Sequence, residues 1–276
     1  MTAELISVGT ELLLGNIVNT NAAFLARECA GLGLSVYYQT TVGDNPQRLE
    51  ASVRQALSRS DVVILSGGLG PTQDDLTKEI AASVFGLPLK EDAHTRERIQ
   101  AYFDARGAKE IAENNWKQAV VPEGALVLDN ENGTAPGLIL EKDGKTAVLL
   151  PGPPGELIPM FRKAVYPYLH RKQPEIIVSE MVKLCGIGES RAEQMIADLI
   201  EKQSNPTIAT YAKTGEVHLR VTARAADREA AELLIKPVLK ELQERFGEFI
   251  YTMEEKVTLE EAVASLLKEQ GLTVTT

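Results

Sequence analysis

The sequence predicts an α/β domain with a mostly parallel sheet covered by helices on both faces, followed by a small α+β domain. Three observations carry this. In the first half, short apolar runs alternate with stretches of helical periodicity, as in parallel sheets whose strands are joined by crossover helices. From residue 176 the order becomes β-α-β-β-α-β, a split-βαβ arrangement. Finally, 276 residues exceed the usual size of one domain. The boundary is expected around residues 171–175, giving domains over 1–172 and 175–253 and a remainder over 254–276.

Each element has its own signal. Leu5, Ile6, Ser7 and Val8 form a short apolar run stopped by Gly9, a buried strand. A helix follows near Thr20, with Ala22, Leu25, Ala26 and Cys29 on one face. Residues 34–42 are rich in strand formers. Pro46 opens a helix that carries Leu49, Val53, Ala56 and Leu57 at helical spacing. Residues 61–65 (DVVIL) are the clearest buried strand, broken by Gly67-Gly68-Leu69-Gly70-Pro71 before a helix with Leu76, Ile80 and Val84. A polar helical stretch is expected over 91–117. Residues 125–128, 137–141 and 145–150 read as strands, the last two joined by the hairpin turn Asp143-Gly144. Pro151-Gly152-Pro153-Pro154-Gly155 opens another helix.

In the second domain strands are expected at 176–184, 207–211, 216–223 and 248–252, with helices at 189–202 and 227–245. Thr258 can cap a further helix whose apolar stripe is Leu259, Ala262, Val263, Leu266 and Leu267, and 272–276 reads as the start of a strand.

Hydrophobic residues are 44% and charged residues 25%, which places the chain with folded globular proteins rather than disordered ones. The formal charge of -10, from 29 Lys and Arg against 39 Asp and Glu, argues against a general phosphate-backbone binder. Two cysteines, Cys29 and Cys185, make no disulfide framework or metal-ligand spacing. The N-terminal residues lack a basic region and turn polar too early for a signal peptide, so a cytoplasmic location away from membranes is expected. There is no GxxxxGK[ST], HExxH, paired CxxC or GxGxxG, which removes P-loop kinases, zincins and zinc ribbons and disfavours dinucleotide oxidoreductases.

The chemistry-bearing segment is 65–77, LSGGLGPTQDDLT. Its glycines end a buried parallel strand just before a helix, where ligands bind in open α/β sheets. Gly67, Gly68 and Gly70 let backbone approach an anion such as phosphate. Two readings of Thr72 and Asp75 stand side by side. They form a capping box at the helix start, or Asp74 and Asp75 together hold a divalent cation next to a phosphate. Two more strand-end loops bring Glu11 with Asn21, and Asp44, to the same sheet edge; each acid taken alone also fits a solvated turn residue. Pro151 and Gly152 belong to a stiff turn that either opens a helix or walls a pocket. Lys117, beside the single Trp116, is a further candidate for phosphate, and otherwise the solvated neighbour of a half-buried anchor.

The segments ISVGTELLLGNIVNTNAAFLA, TTVGDN, ILSGGLGPTQDDLT, GTAPG and LLPGPPGEL, in this order along nearly the whole chain, resemble the CinA family, the competence/damage-inducible protein A group. The resemblance implies an N-terminal domain similar to the MoaB/MogA molybdopterin-binding fold and a KH-like second domain. It usually implies a C-terminal nicotinamide-mononucleotide deamidase domain as well, whose opening elements would be residues 254–276, so deamidase activity is not expected of this chain. It also implies a metal-dependent ADP-ribose pyrophosphatase, working in pyridine-nucleotide recycling. In MogA-like relatives the glycine turn ends in an Arg-Asp pair whose Asp is important for catalysis; Asp75 matches that Asp, and Asp74 stands at the Arg position. A second important acid matches Asp44. A KH domain that binds nucleic acid carries a basic GxxG loop, whereas Gly186-Ile187-Gly188-Glu189 has one residue between its glycines and an acid after them.

Together these give a set of expectations. Asp75, Asp44 and Asp74 are catalytic, and Asp74 and Asp75 hold a cation of the Mg, Mn or Co class. Gly67, Gly68, Gly70, Thr72, Glu11, Asn21, Lys117, Pro151 and Gly152 bind a nucleotide substrate. The protein is expected to be a homodimer that binds neither nucleic acid nor membrane. The alternative is a non-catalytic nucleotide- or molybdopterin-type binding module.

Overall fold

Four apolar runs order themselves into the parallel part of a six-stranded sheet. Strand β1 (Thr2–Val8) lies between β2 (Ser35–Val42) and β3 (Val62–Ser66), and β3 pairs with β8 (Lys145–Leu150), all parallel. The strand order is β2-β1-β3-β8 and then, at the far edge, β7 (Gly137–Lys142) and β6 (Leu126–Leu128). Strands β6 and β7 run antiparallel, so the sheet is mixed, with a hairpin through Asp143-Gly144 adding the reversed edge. Asp143 and Gly144 both take positive φ (50° and 76°), the backbone that a two-residue hairpin needs.

This is a computed structural model, and it describes residues 1–173 and 175–273. The chain divides into two units, Met1–Pro174 and Glu175–Thr276. Among the described residues no helix is long and apolar enough to cross a membrane.

Alternation along the strands splits the core of the first unit. Ala3, Leu5, Val62 and Ile64 face α2 (Thr20–Gly31), α6 (Pro154–Met160) and α7 (Tyr166–Lys172). Ile6, Val8, Val63 and Leu65 face α3 (Pro46–Arg59) and α4 (Thr77–Phe85). Both faces are covered, as the apolar runs predict, and every residue of β3 is buried. Burying each such Leu, Ile or Val contributes about 1.5–3 kcal/mol. Helix starts follow their caps: Asn19 accepts from the Ala22 amide, and Asn45 accepts from the Arg48 amide ahead of Pro46.

Three local readings change. The polar stretch 91–117 is not one helix. Asp92 caps α5 (Ala93–Asp104), Gly107 takes φ 69° beyond its end, and residues Glu113–Ala119 form a separate 3₁₀ turn. Short strands β4 (Leu89–Glu91) and β5 (Val120–Pro122) pair as a small second sheet, unforeseen because each is only three residues long and β4 is fully exposed. Between α6 and α7 the chain passes through a π turn at Phe161–Val165, just after Pro159, which cannot donate to the helix ladder. The four-residue helix α1 (Thr10–Leu13) follows β1.

The second unit is a four-stranded antiparallel sheet in the order β10-β11-β9-β12, made of β9 (Ile176–Cys185), β10 (Thr207–Lys213), β11 (Glu216–Ala225) and β12 (Ile250–Thr252). Val182, Leu184, Leu219 and Val221 build a core with Ala231, Ile235, Leu242 and Phe246 of α10 (Arg228–Phe246). The helix expected at 189–202 is broken into α8 (Glu189–Met195) and α9 (Ala197–Lys202) at Ile196, whose side chain is fully buried. Thr258 and Glu261 form the capping box of α11 (Leu259–Glu269), which buries none of its residues. Lys183 holds the segment before it by donating to the carbonyls of Glu255 (2.8 Å) and Val257 (2.7 Å). The strand read at 272–276 lies partly outside the described residues.

Candidate active site

Register decides which loops meet. Val8 pairs with Val42, Ser7 with Ser66, and Ser66 with Leu150. The ladder continues one step past the strands, with the Gly9 amide donating to Val42 O and the Gly67 amide to Leu150 O, each 3.0 Å. The loops after β1, β2, β3 and β8 therefore open side by side at the carboxyl edge of the sheet. They wall a cleft of about 460 Å³ that takes in Glu11, Asp44, Gly67, Gly68, Gly70, Thr72, Asp74, Asp75, Pro151 and Gly152. All but two of the residues singled out from the sequence thus come together.

The turn itself needs its glycines. Gly67 (φ 99°) and Gly68 (φ 67°) lie in the left-handed region. A Cβ on Gly67 would collide with the Val8 carbonyl, and one on Gly68 with the Thr77 hydroxyl. That hydroxyl donates to Gly67 O at 2.8 Å, which ties the turn to the first residue of α4.

Asp75 and Thr72 do not cap that helix. Helix α4 starts at Thr77 after Leu76, with no side-chain cap. Instead Asp75 Oδ2 accepts both the Thr72 amide (2.9 Å) and the Thr72 hydroxyl (2.5 Å). Asp44 repeats the arrangement from the loop after β2, its Oδ2 accepting the Thr10 amide (2.9 Å) and hydroxyl (2.8 Å). Each aspartate spends one oxygen on the fold. Asp74 is exposed at the rim. Glu156, reached by an Asn130 Nδ2 bond of 2.6 Å, adds a fifth carboxylate to the cleft wall.

Two expectations are corrected. Lys117 does not line the cleft: its Nζ lies behind the loop, donating to the carbonyls of Thr72 (2.8 Å) and Asp75 and standing 3.8 Å from Glu79 Oε1. Asn21 sits outside the cleft, where its Nδ2 donates to Gly152 O at 2.7 Å and so fixes the stiff turn from behind. Neither do Asp74 and Asp75 build a cage: among the described residues, no three His, Cys, Asp or Glu side chains converge as cation ligands.

Sequence reasoning did not assign Gln118 or Tyr102 to the cleft, although both line it. Gln118 is buried, donates to Leu69 O at 3.2 Å, and leaves Oε1 without a partner. Its place beside Lys117 was the available signal; Tyr102, on a helix far along the chain, gave none. Behind the loop, Lys78 is buried and donates to Lys117 O at 2.6 Å. Burial pushes its ammonium down to about 8, with Lys117 adding to the effect and Glu79 opposing it. The electrostatic character of the cleft is one-sided. Five carboxylates line it, and among the described lining residues none is Lys, Arg or His.

A mixed sheet covered by helices on both faces, with its cleft at the carboxyl edge, makes the first unit a MoaB/MogA-like α/β domain. A family profile described as a probable molybdopterin binding domain matches residues 4–171, and one described as the KH domain of damage-inducible protein CinA matches residues 179–252. The chain belongs to the CinA family of competence/damage-inducible proteins. It is 54% identical over 274 residues to a CinA-like protein of Dictyoglomus turgidum, covering 99% of this chain and 66% of that protein. It is 51% identical over 276 residues to a CinA-like protein of Kosmotoga olearia, covering 100% of this chain and 66% of that one. The chain thus spans about two thirds of the length of the curated relatives it matches. The crystal structure of CinA, of unknown function, from Thermoplasma acidophilum is similar with a TM-score of 0.57 at 35% identity, over 61% of this chain and 99% of that one.

Proposed function

We propose that this chain hydrolyses the pyrophosphate bond of a nucleotide, with ADP-ribose as the substrate, in a reaction that requires a divalent cation. The observation that carries this reading is the charge of the cleft. Glu11, Asp44, Asp74, Asp75 and Glu156 repel a pyrophosphate, and a divalent cation held among them would offset that repulsion.

The donor set fits such an ion. Carboxylate oxygens are hard ligands suited to Mg, Mn or Co class cations. Among the described residues no three acids converge, so the protein alone would supply few ligands and the rest would have to come from substrate or water. Asp74 and Asp75 would hold the ion, Asp75 through the oxygen that Thr72 leaves free. The ion supplies polarisation of the phosphoryl oxygens and a lowered pKa for an attacking water. Asp44, oriented by Thr10, would accept a proton from the attacking water. The glycine turn brings backbone to the phosphate, and Pro151 and Gly152, on the adjoining strand end, stiffen the wall beside it. Attack at phosphorus breaks one P–O bond and releases AMP and ribose 5-phosphate.

The test is hydrolysis of ADP-ribose by the purified chain, with EDTA and then with Mg²⁺, Mn²⁺ or Co²⁺ restored. Turnover that disappears with EDTA and returns with metal is expected. Tight ADP-ribose binding with no turnover under any metal would make the domain a binding module instead.

A further inference from the structure

Residues 69–76 carry two acids of the cleft yet belong to no helix or strand. Their backbone is held from outside by two consecutive side chains of the 3₁₀ turn. Gln118 Nε2 donates to Leu69 O (3.2 Å), and Lys117 Nζ donates to Thr72 O (2.8 Å) and Asp75 O. The three carbonyls are spaced three residues apart, so the pair grips the loop along its length. The grip is itself braced: Lys78, on α4, donates to Lys117 O at 2.6 Å, and Glu79 Oε1 stands 3.8 Å from both ammonium groups.

We propose that Lys117, assisted by Gln118, is a positioning residue for Asp75. It sets the loop in the one conformation where the Thr72 amide and hydroxyl both reach Asp75 Oδ2, and it does so without touching substrate. An ammonium is suited to this because its three donors converge on several oxygens at once. A neutral side chain of equal length would fill the space but leave the Asp75 carbonyl without the ammonium and the Thr72 carbonyl with only the Asp75 amide at 3.4 Å. Freed from that grip, the loop turns the Asp75 carboxylate away from the cleft. The catalytic consequence rests on the pyrophosphatase reading; the grip on the loop does not.

The experiment compares wild type with Lys117→Met and with Lys117→Cys, the latter before and after alkylation by 2-bromoethylamine, which rebuilds an ammonium at nearly the same reach. Cys185→Ser is the background, since Cys29 is buried. Amide hydrogen exchange is read over residues 69–76, with β3 as the internal reference. Protection of the Thr72 amide should fall at least roughly tenfold in Lys117→Met and in unalkylated Lys117→Cys, and return on aminoethylation, with β3 unchanged. In turnover, kcat should fall at least roughly tenfold with little change in KM, and recover in the same way. Unchanged exchange in both variants would overturn the proposal, as would a raised KM at constant kcat, which would make Lys117 a substrate ligand. If wild type shows no hydrolysis, the pyrophosphatase reading fails and the exchange comparison still decides the grip. Should Lys117→Met not fold, Lys117→Cys with and without alkylation gives the same comparison within one protein.

Discussion

Asp75 receives the amide and the hydroxyl of Thr72 on a single carboxylate oxygen, at 2.9 and 2.5 Å. Asp44 does the same with Thr10 at the end of β2, two strands away from β3. Two unrelated loops thus aim an aspartate by one device, each leaving the second oxygen to the cleft. A threonine that donates twice fixes both the position and the rotation of the carboxylate, which one hydrogen bond cannot do.

If Asp75 bridges to the cation, Asp75→Asn should reduce ADP-ribose hydrolysis by at least about 100-fold. The amide keeps the shape and can still accept from Thr72, so the melting temperature should stay close to that of wild type. Near-normal turnover in this variant, measured at saturating metal, would remove Asp75 from the mechanism.

Gly70 offers a finer probe. Its φ is not in the left-handed region, but a Cβ there would lie 2.5 Å from Asp75 Oδ2. Gly70→Ala should therefore push the carboxylate off Thr72 and lower kcat while costing little stability. Gly68→Val is the coarser change: at φ 67°, with Thr77 in the way, it should also destabilise the fold by about 1–3 kcal/mol. Equal losses of activity and stability in Gly70→Ala would count against the Asp75 account.

Lys78 makes stability depend on pH in a definite direction. Its folded-state pKa of about 8 lies below the usual 10.5. Between those values the unfolded chain holds more protons than the folded one, so this residue's contribution to stability rises with pH across that window and is flat below it. The difference in unfolding free energy between wild type and Lys78→Met should grow by up to about 3 kcal/mol from pH 8 to pH 10.5. Denaturant titrations of both proteins at several pH values read it; a difference that is constant or falls with pH contradicts the assignment.

Strands, layers and the sheet edge were legible because buried parallel strands write themselves as continuous apolar runs, here Val62–Ser66 and Lys145–Leu150. The glycine turn was legible because Gly67 and Gly68 punctuate such a run. What the sequence withheld was direction. Lys117 has the chemistry of a phosphate ligand, and only its distance to Thr72 O shows that its donors are turned to the loop backbone. Asn21 likewise pointed to the cleft by proximity along the chain, yet it bonds the Gly152 carbonyl. Thr72 and Asp75 have capping-box spacing, but Thr72 is the donor and the helix begins five residues later. Strands of three residues, such as Leu89–Glu91, are too short for alternation to register.

The second unit should not bind RNA or DNA tightly. Gly186-Ile187-Gly188 leads directly into α8, whose first turn carries Glu189, and the chain as a whole carries a charge of -10. Mobility shifts at micromolar protein and physiological salt should show free nucleic acid. A sub-micromolar shift with a steep salt dependence would contradict this.

On this reading, pyrophosphate enters the acidic cleft only together with a divalent cation that Asp75 and Asp74 would hold. Calorimetric titration with a methylene-bridged analogue of ADP-ribose, which cannot be cleaved, tests it most directly. Heat of binding should be absent in EDTA, present with Mn²⁺, and lost again in Asp75→Asn at the same metal concentration. Equal affinity for the analogue with and without metal would contradict the account.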